Sequence, residues 1–424
     1  MESSWIALII IGAMLILYMT ELLPIATTSI LACVALAVFG VIPLNMAFAG
    51  FGNDIVFLIV GMMVVGDALF ETGVAHLLGK KIISVVGANE KLFIAALITV
   101  CITIGMFLSN TATAAIMLPI AASAIAASGG KLSKKNTYMV IGFAAVAGGG
   151  LTVIGSTPQL IAQGILLEGG HETMGFFELS YAGIPKAILL LVYYLTIGYA
   201  LQKKVFTFPE PPDEPLPDKS LDVRSPKNTV KMCTAVGALV FCVVGFLSDL
   251  WTVGIVAMIG ALLCVVTGCI TQKRVFQKME WTTVIIMGCS FGLAAGLDQS
   301  GAGRLIAQAV ISILGDNISP WLICSALALL AVILGNIMSH TATASLLVPI
   351  SVILALELGY DVKSLVMAVV IAANVTYMTP ISTPPITMTL AGGYRFMDYV
   401  KVGGIINVLS YILIVLLFPL VLNI

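Results

Sequence analysis

Four short polar clusters interrupt otherwise apolar stretches of this 424-residue chain, and they come in two pairs. Ser109-Asn110-Thr111-Ala112-Thr113-Ala114 is echoed by Ser339-His340-Thr341-Ala342-Thr343-Ala344, and Ser156-Thr157-Pro158 by Ser382-Thr383-Pro384-Pro385. Hydroxyl and amide residues of this kind cap helices, and proline suits the first turn of a helix. A helix that begins at such a break starts with unpaired N–H groups and the positive end of its dipole, which is chemistry for an anion. The carbonyls that end the preceding segment, around Gly105 to Leu108 and Gly335 to Met338, carry the opposite polarity and suit a cation. Four such N-termini converging on one site would hold a ligand with two carboxylates. No Lys or Arg lies in any of the clusters, so charge compensation is expected from dipoles, hydroxyls and bound Na⁺.

The elements that must position these clusters are membrane helices. The chain is 60% hydrophobic and 10% charged, with a mean hydropathy of +1.11. A soluble domain carries about 25% charged residues, so most of this exterior must face lipid. Crossings are expected near residues 5–20, 24–41, 55–79, 138–168, 181–201, 232–248, 251–270, 281–297, 365–390 and 402–423. Each is an apolar run of about the length that spans the hydrocarbon layer. The stretches 92–128 and 321–356 are each broken in the middle by a polar cluster, leaving halves that read as too short to cross. They are expected to be re-entrant hairpins whose tips line a wet cavity, where free backbone groups at membrane depth can be tolerated.

Charge placement is consistent with that topology. With the hairpins counted as non-crossing, all of the 20 Lys and Arg residues except Lys186, Arg304 and Lys363 fall on one side. The positive-inside rule makes that side cytoplasmic and places both termini outside. The first apolar stretch lacks a basic flank and a small-residue cleavage site, and is expected to be a retained crossing. A Pro-rich polar segment divides the chain into residues 1–207, a cytoplasmic linker 208–228, and residues 229–424. The paired clusters are offset by 230 and 226 residues, with Gly61 and Gly288, and Gly73 and Gly301, as weaker matches. Five crossings per half is an odd number, so the second half must be inverted relative to the first. Inverted repeats with paired broken segments point to a transport site at the membrane midplane. The expected fold class is therefore an all-α membrane protein of two inverted repeats, with about ten transmembrane helices plus two re-entrant helical hairpins.

The run Ser109-Asn110-Thr111-Ala112-Thr113-Ala114, its second copy at Ser339-His340-Thr341 and the two Ser-Thr-Pro segments resemble the signature of the divalent anion/sodium symporter family, the dicarboxylate and citrate transporters. The resemblance covers nearly the whole chain. It implies a homodimer in which a transport domain moves as an elevator against a fixed scaffold. It implies one Na⁺ near Gly105, Ser109, Asn110 and Ser156, and a second near Gly335, Ser339, His340 and Ser382. It also implies substrate carboxylates held by Asn110, Thr111, Thr157, Thr341 and Thr383, with Pro158, Pro384 and His340 beside them. The chain departs from the family pattern where His340 replaces the usual second Asn, and where Gln159 and Ile386 stand in place of an Asn after each Thr-Pro turn. An extra N-terminal crossing of some members is expected to be missing. A neutral imidazole is a poor ligand for a hard cation, so the second cation site is expected to be altered or absent. Coupling would then run through one Na⁺, through H⁺, or by exchange.

Plainer readings apply elsewhere. His76 and His171 are expected in interfacial or loop positions. Asp67 and Asp298 are read as structural groups near helix ends, with a proton relay as the alternative, and the region after Asp298 as a loop. Gly148-Gly149-Gly150 is read as close helix packing or a flexible turn. The eight cysteines lack metal-ligand or redox spacing. No nucleophile and base are suitably paired for an intramembrane hydrolase, so an enzyme is not expected; nor is an organic cofactor or a nucleic-acid partner. Beside the carboxylate transporter stand a cation/proton antiporter and an inorganic oxyanion permease of related fold.

Overall fold

The structure is a computed structural model that describes residues 3–20, 22–74, 89–209, 226–248, 250–314 and 319–422. His76, Lys80, Lys81 and most of the Pro-rich linker, with Lys219 and Arg224, lie outside the described residues. Among the described residues all regular structure is helical. The first half contains α1 (Ser3–Thr20), α2 (Ile25–Val38) and α3 (Asp54–Glu71), followed by a broken pair, α4 (Glu90–Gly105) and α5 (Asn110–Ala127). Then come α6 (Lys134–Gly149), α7 (Thr157–Glu168) and α8 (Ser180–Val205), the last with a π turn at Tyr194–Gly198. In the second half α9 (Pro226–Ser248), α10 (Val253–Val266), α11 (Gln272–Lys278), α12 (Trp281–Gln299) and α13 (Ala302–Leu314) precede another broken pair, α14 (Pro320–Ile337) and α15 (His340–Leu358). It closes with α16 (Val362–Ala373), the short α17 (Pro384–Met388) and α18 (Phe396–Val421).

Apolar exteriors mark the lipid face. Val266 is 82% exposed, Leu420 78% and Leu22 74%, and no water-facing surface would carry such residues in series. On α1 the buried residues Ala7, Ile11, Met14 and Tyr18 recur at helical spacing, so one stripe packs inward. By contrast, α6 is buried from Asn136 to Gly149 and α16 from Ser364 to Ala373. These two helices form the centre of the protein.

The helices pack in two groups. In one, α3 lies on α10, α12 on α2, and α9 on α10. In the other, α4 and α5 pack on α6, and α14 and α15 pack on α16. The halves also exchange partners: α7 lies against α15, while α17 lies against α5. Helix α8 packs on α18, and the groups meet where α3 and α12 touch α5, α7 and α15.

Several expectations are refined. Seven helices among the described residues are long and apolar enough to cross a membrane, and α14 and α15 are two of them. Arm length therefore does not mark the second pair as re-entrant, because both arms keep helical geometry almost to the break. The expected loop after Asp298 is confined to Ser300 and Gly301, and Gly303 already lies in α13. Gly73 and Gly301 both have positive φ, 84° and 73°, just after α3 and α12. Lys186, counted above as a charge on the sparse side, belongs to no loop: it is 2% exposed inside α8.

Candidate functional site

Each break is built from a serine cap. Ser109 accepts from the Ala112 N–H at 3.2 Å, and Ser339 from the Ala342 N–H at 3.1 Å. Helices α5 and α15 therefore begin at Asn110 and His340, one residue earlier than the threonines suggest. Thr152 donates to the Met106 carbonyl at 2.6 Å, and Thr379 donates to the Asn336 carbonyl at 2.6 Å. These two straps tie the end of each first arm to the turn before α7 or α17. The turns themselves follow from Pro158, and from Pro384 with Pro385, which fit the first helical turn, where no N–H bond is lost.

The four N-termini border one cavity of about 450 Å³. Ser109, Asn110 and Thr111 line it from α5, Ser156 and Thr157 from α7, Ser339, His340 and Thr341 from α15, and Pro384 from α17. Other expected site residues stand behind that wall. Gly105 backs onto Ala145 and Gly148, and Gly335 onto Thr376 and Ala373. Pro158, Ser382 and Thr383 are buried, and the Thr383 hydroxyl has no protein partner.

The two cation positions differ chemically. The Asn110 amide oxygen lies 2.9 Å from the Ala145 carbonyl oxygen and 3.3 Å from that of Gly155, while its Nδ2 donates to Ser156 Oγ at 3.3 Å. Three oxygens facing one another are satisfied either by turning the amide over or by a cation placed among them. Gly149 is required beside them, since a Cβ there would collide with the Asn110 amide oxygen and the Gly155 carbonyl. Gln159 holds this corner, its amide donating to the Gly149 carbonyl at 3.0 Å. In the other half, the Ser382 carbonyl accepts from the His340 backbone N–H at 3.3 Å and faces the ring Nδ1 at 3.5 Å. The Ser382 hydroxyl donates to the Thr376 and Thr379 carbonyls, both at 2.9 Å. Here the acceptors already have donors.

Three charged groups in the wall were not identified as cavity residues from sequence. Asp67 from α3, Lys278 from α11 and Glu280 before α12 all line the cavity. Lys278 pairs with Glu71 at 2.7 Å, Arg274 bonds the same carboxylate, and the Lys278 ammonium sits 4.2 Å from the centre of the Phe70 ring. Burial raises the Glu280 carboxyl above its ordinary range, and a hydrogen bond with Thr283 offsets part of that. Asp67 and Asp298, comparable in sequence, part company here: Asp67 faces the cavity, whereas Asp298 is exposed near the end of α12. Sequence spacing carried no signal for Lys278 or Glu280, since only the packing of α3, α11 and α12 brings them in. Gly148-Gly149-Gly150 is a close-packing segment, with Gly148 against Ile102 and Gly149 against Asn110.

Comparison with known proteins agrees with this architecture. Sodium-dependent dicarboxylate transporter SdcS from Staphylococcus aureus strain MRSA252 is 28% identical over 444 residues, covering 96% of this chain and 84% of that protein. The SdcS of strain COL is 28% identical over 432 residues, covering 94% and 82%. Among solved structures, the Alcanivorax borkumensis YdaH transporter superposes with a TM-score of 0.65 at 14% identity, covering 89% of this chain and 87% of that one. Neisseria gonorrhoeae MtrF, of a class of antimetabolite efflux pumps, gives a TM-score of 0.60 at 14% identity, covering 91% and 83%. These two likenesses concern the fold. The sequence model of the citrate transporter family matches residues 15–365, so the chain belongs to that family and is a multi-pass membrane transporter of the divalent anion/sodium symporter type, not an enzyme.

Proposed function

We propose that this protein is a secondary active transporter of small di- or tricarboxylates, coupled to Na⁺ at the Asn110 corner. The observation that carries the reading is the meeting of four helix N-termini at one cavity. The first-turn N–H groups and hydroxyls of α5, α7 and α15 offer donors to two carboxylates, and their dipoles favour negative charge, while α17, opening on two prolines that have no N–H, closes the wall. Asn110, Thr111, Thr157, His340 and Thr341 supply the substrate contacts in this reading, with Thr383 buried behind them and Pro158 and Pro384 shaping the turns. Gly105, Ser109, Asn110 and Ser156 form the first cation site. The name of the S. aureus relatives, sodium-dependent dicarboxylate transporters, supports both substrate class and ion.

The second site, around Gly335, Ser339, His340 and Ser382, is altered. His340 occupies the Ser382 carbonyl, and the Ser382 hydroxyl occupies two more. One Na⁺ per cycle, with exchange or H⁺ coupling as the second reading, follows from that difference. The two halves act as inverted repeats, in which the α4–α8 and α14–α18 group moves as an elevator against the remaining helices of a homodimer. The cavity wall includes Phe70, Lys278, Glu280 and Thr282, and Lys278 with its neighbour Arg274 belongs to the side that the charge count makes cytoplasmic. With that side cytoplasmic and both termini outside, the cavity is read as facing inward.

Radiolabelled succinate uptake into proteoliposomes tests the reading, with the Na⁺ gradient, pH gradient and internal dicarboxylate varied separately. Uptake driven by a Na⁺ gradient is expected. Uptake that needs only internal dicarboxylate would make the protein an exchanger, and absence of uptake of any carboxylate by folded protein would overturn the proposal.

A further inference from the structure

Lys186 is buried in α8 at 2% exposure, and among the described residues it forms no ion pair with a carboxylate. Charged groups at membrane depth are costly, and those that persist serve a purpose. The ammonium stands over Gly150, where a built Cβ would lie 3.0 Å from Lys186 Nζ and 3.4 Å from the Ala147 carbonyl oxygen. Gly150 follows the last residue of α6, so the ammonium faces the negative end of that helix. The next residue back, Gly149, is the one packed against Asn110 and Gly155 at the first cation corner. The lysine and the corner therefore stand against adjacent residues, Gly150 and Gly149, at the carbonyl end of one helix.

The other half answers the same packing problem differently. Gly183 on α8 packs against the Gly150 carbonyl, and Gly403 on α18 packs against the Tyr377 carbonyl. One helical turn beyond each glycine stands a buried polar residue, Lys186 in the first case and Asn407 in the second. Asn407 is neutral, and its Oδ1 accepts from the Tyr377 N–H at 3.0 Å. A neutral hydrogen-bonding side chain is thus enough to hold such a turn, and the positive charge at Lys186 is surplus to that task.

We propose that Lys186 is a built-in cation that stands beside the first cation site at the end of α6 and thereby sets how weakly that site holds its ion. The inference rests on the Na⁺ site assigned above. Like charges a few ångströms apart in a protein interior repel strongly enough to change an affinity by about tenfold or more. A transported ion must be released on the far side, and a fixed ammonium behind the site keeps binding from becoming too tight.

Equilibrium binding of radioactive sodium to the purified full-length protein in lipid nanodiscs, without substrate, tests this. Lys186→Met and Lys186→Gln are expected to lower the half-saturating Na⁺ concentration by about tenfold, whereas Lys186→Arg, which keeps the charge, stays within about twofold of the parent. Unchanged or weaker Na⁺ binding in the neutral variants would overturn the proposal while leaving the Na⁺ site in place. If neither neutral variant yields folded protein while Lys186→Arg does, the lysine is a structural group and the proposal also fails. A parent protein that binds no Na⁺ would remove the site itself, and this inference with it.

Discussion

Asn110 and His340 hold equivalent places at the two breaks, yet the first brings an amide oxygen to two carbonyls and the second brings an imidazole and an N–H to one. A hard cation needs oxygens, so in the proposed mechanism this residue pair sets how many ions are bound. Asn110→Ala is expected to abolish Na⁺-stimulated succinate uptake while leaving expression and melting behaviour close to normal, since the residue lines a cavity. His340→Asn is expected to steepen the Na⁺ dependence of uptake, and an unchanged curve would show that His340 has no bearing on ion number. Gly149→Ala places a methyl group on the Asn110 amide and the Gly155 carbonyl. Na⁺ stimulation should fall by about five- to 150-fold, the loss of one buried polar contact being worth about 1–3 kcal/mol.

At the scale of elements, the breaks are held by straps. Thr152 and Thr379 each donate to a carbonyl that ends a first arm, and those carbonyls have few alternatives at that depth. Thr152→Val removes the donor but keeps the shape. The expected cost is about 1–3 kcal/mol, visible as a lower melting temperature in detergent, and Thr379→Val should behave alike. The serine caps, the Thr-Pro turns and the pairing of the clusters were legible in the sequence because each is a local event of a few residues. The straps were not, since a threonine that closes a turn looks like any other until the two segments meet. Helices α11 and α13 also escaped notice, because they fall between apolar runs and carry too few consecutive apolar residues to read as crossings.

Across the whole molecule, the composition left only a membrane protein, and the two pairs of clusters pointed to one central cavity. What spacing could not supply was the cavity's other wall. Asp67, Lys278 and Glu280 come from α3, α11 and the residue before α12, and their positions depend on how α3 packs on α10 and α12 on α2. Lys186 was misplaced for the same reason: a lysine amid apolar residues reads as a boundary charge until helix packing shows it enclosed. The proposed inward-facing orientation gives a test at this scale. Thr282 is exposed and lines the cavity, and Cys233 is the exposed native thiol among the described residues. In a Cys233→Ser background, Thr282→Cys should react with a membrane-impermeant thiol reagent from the cytoplasmic side, and succinate with Na⁺ should slow that reaction. Labelling only from the outside would reverse the assigned orientation.

The central claim is that one cavity holds a dicarboxylate together with a single Na⁺ at the Asn110 corner. Calorimetric titration of succinate into purified protein at a series of Na⁺ concentrations tests it directly, since linkage makes the dependence of affinity on Na⁺ report the number of ions bound with the substrate. A logarithmic slope of about one is expected, lost in Asn110→Ala. A slope of about two would show that His340 leaves the second site intact, and succinate affinity independent of Na⁺ would contradict the coupling altogether.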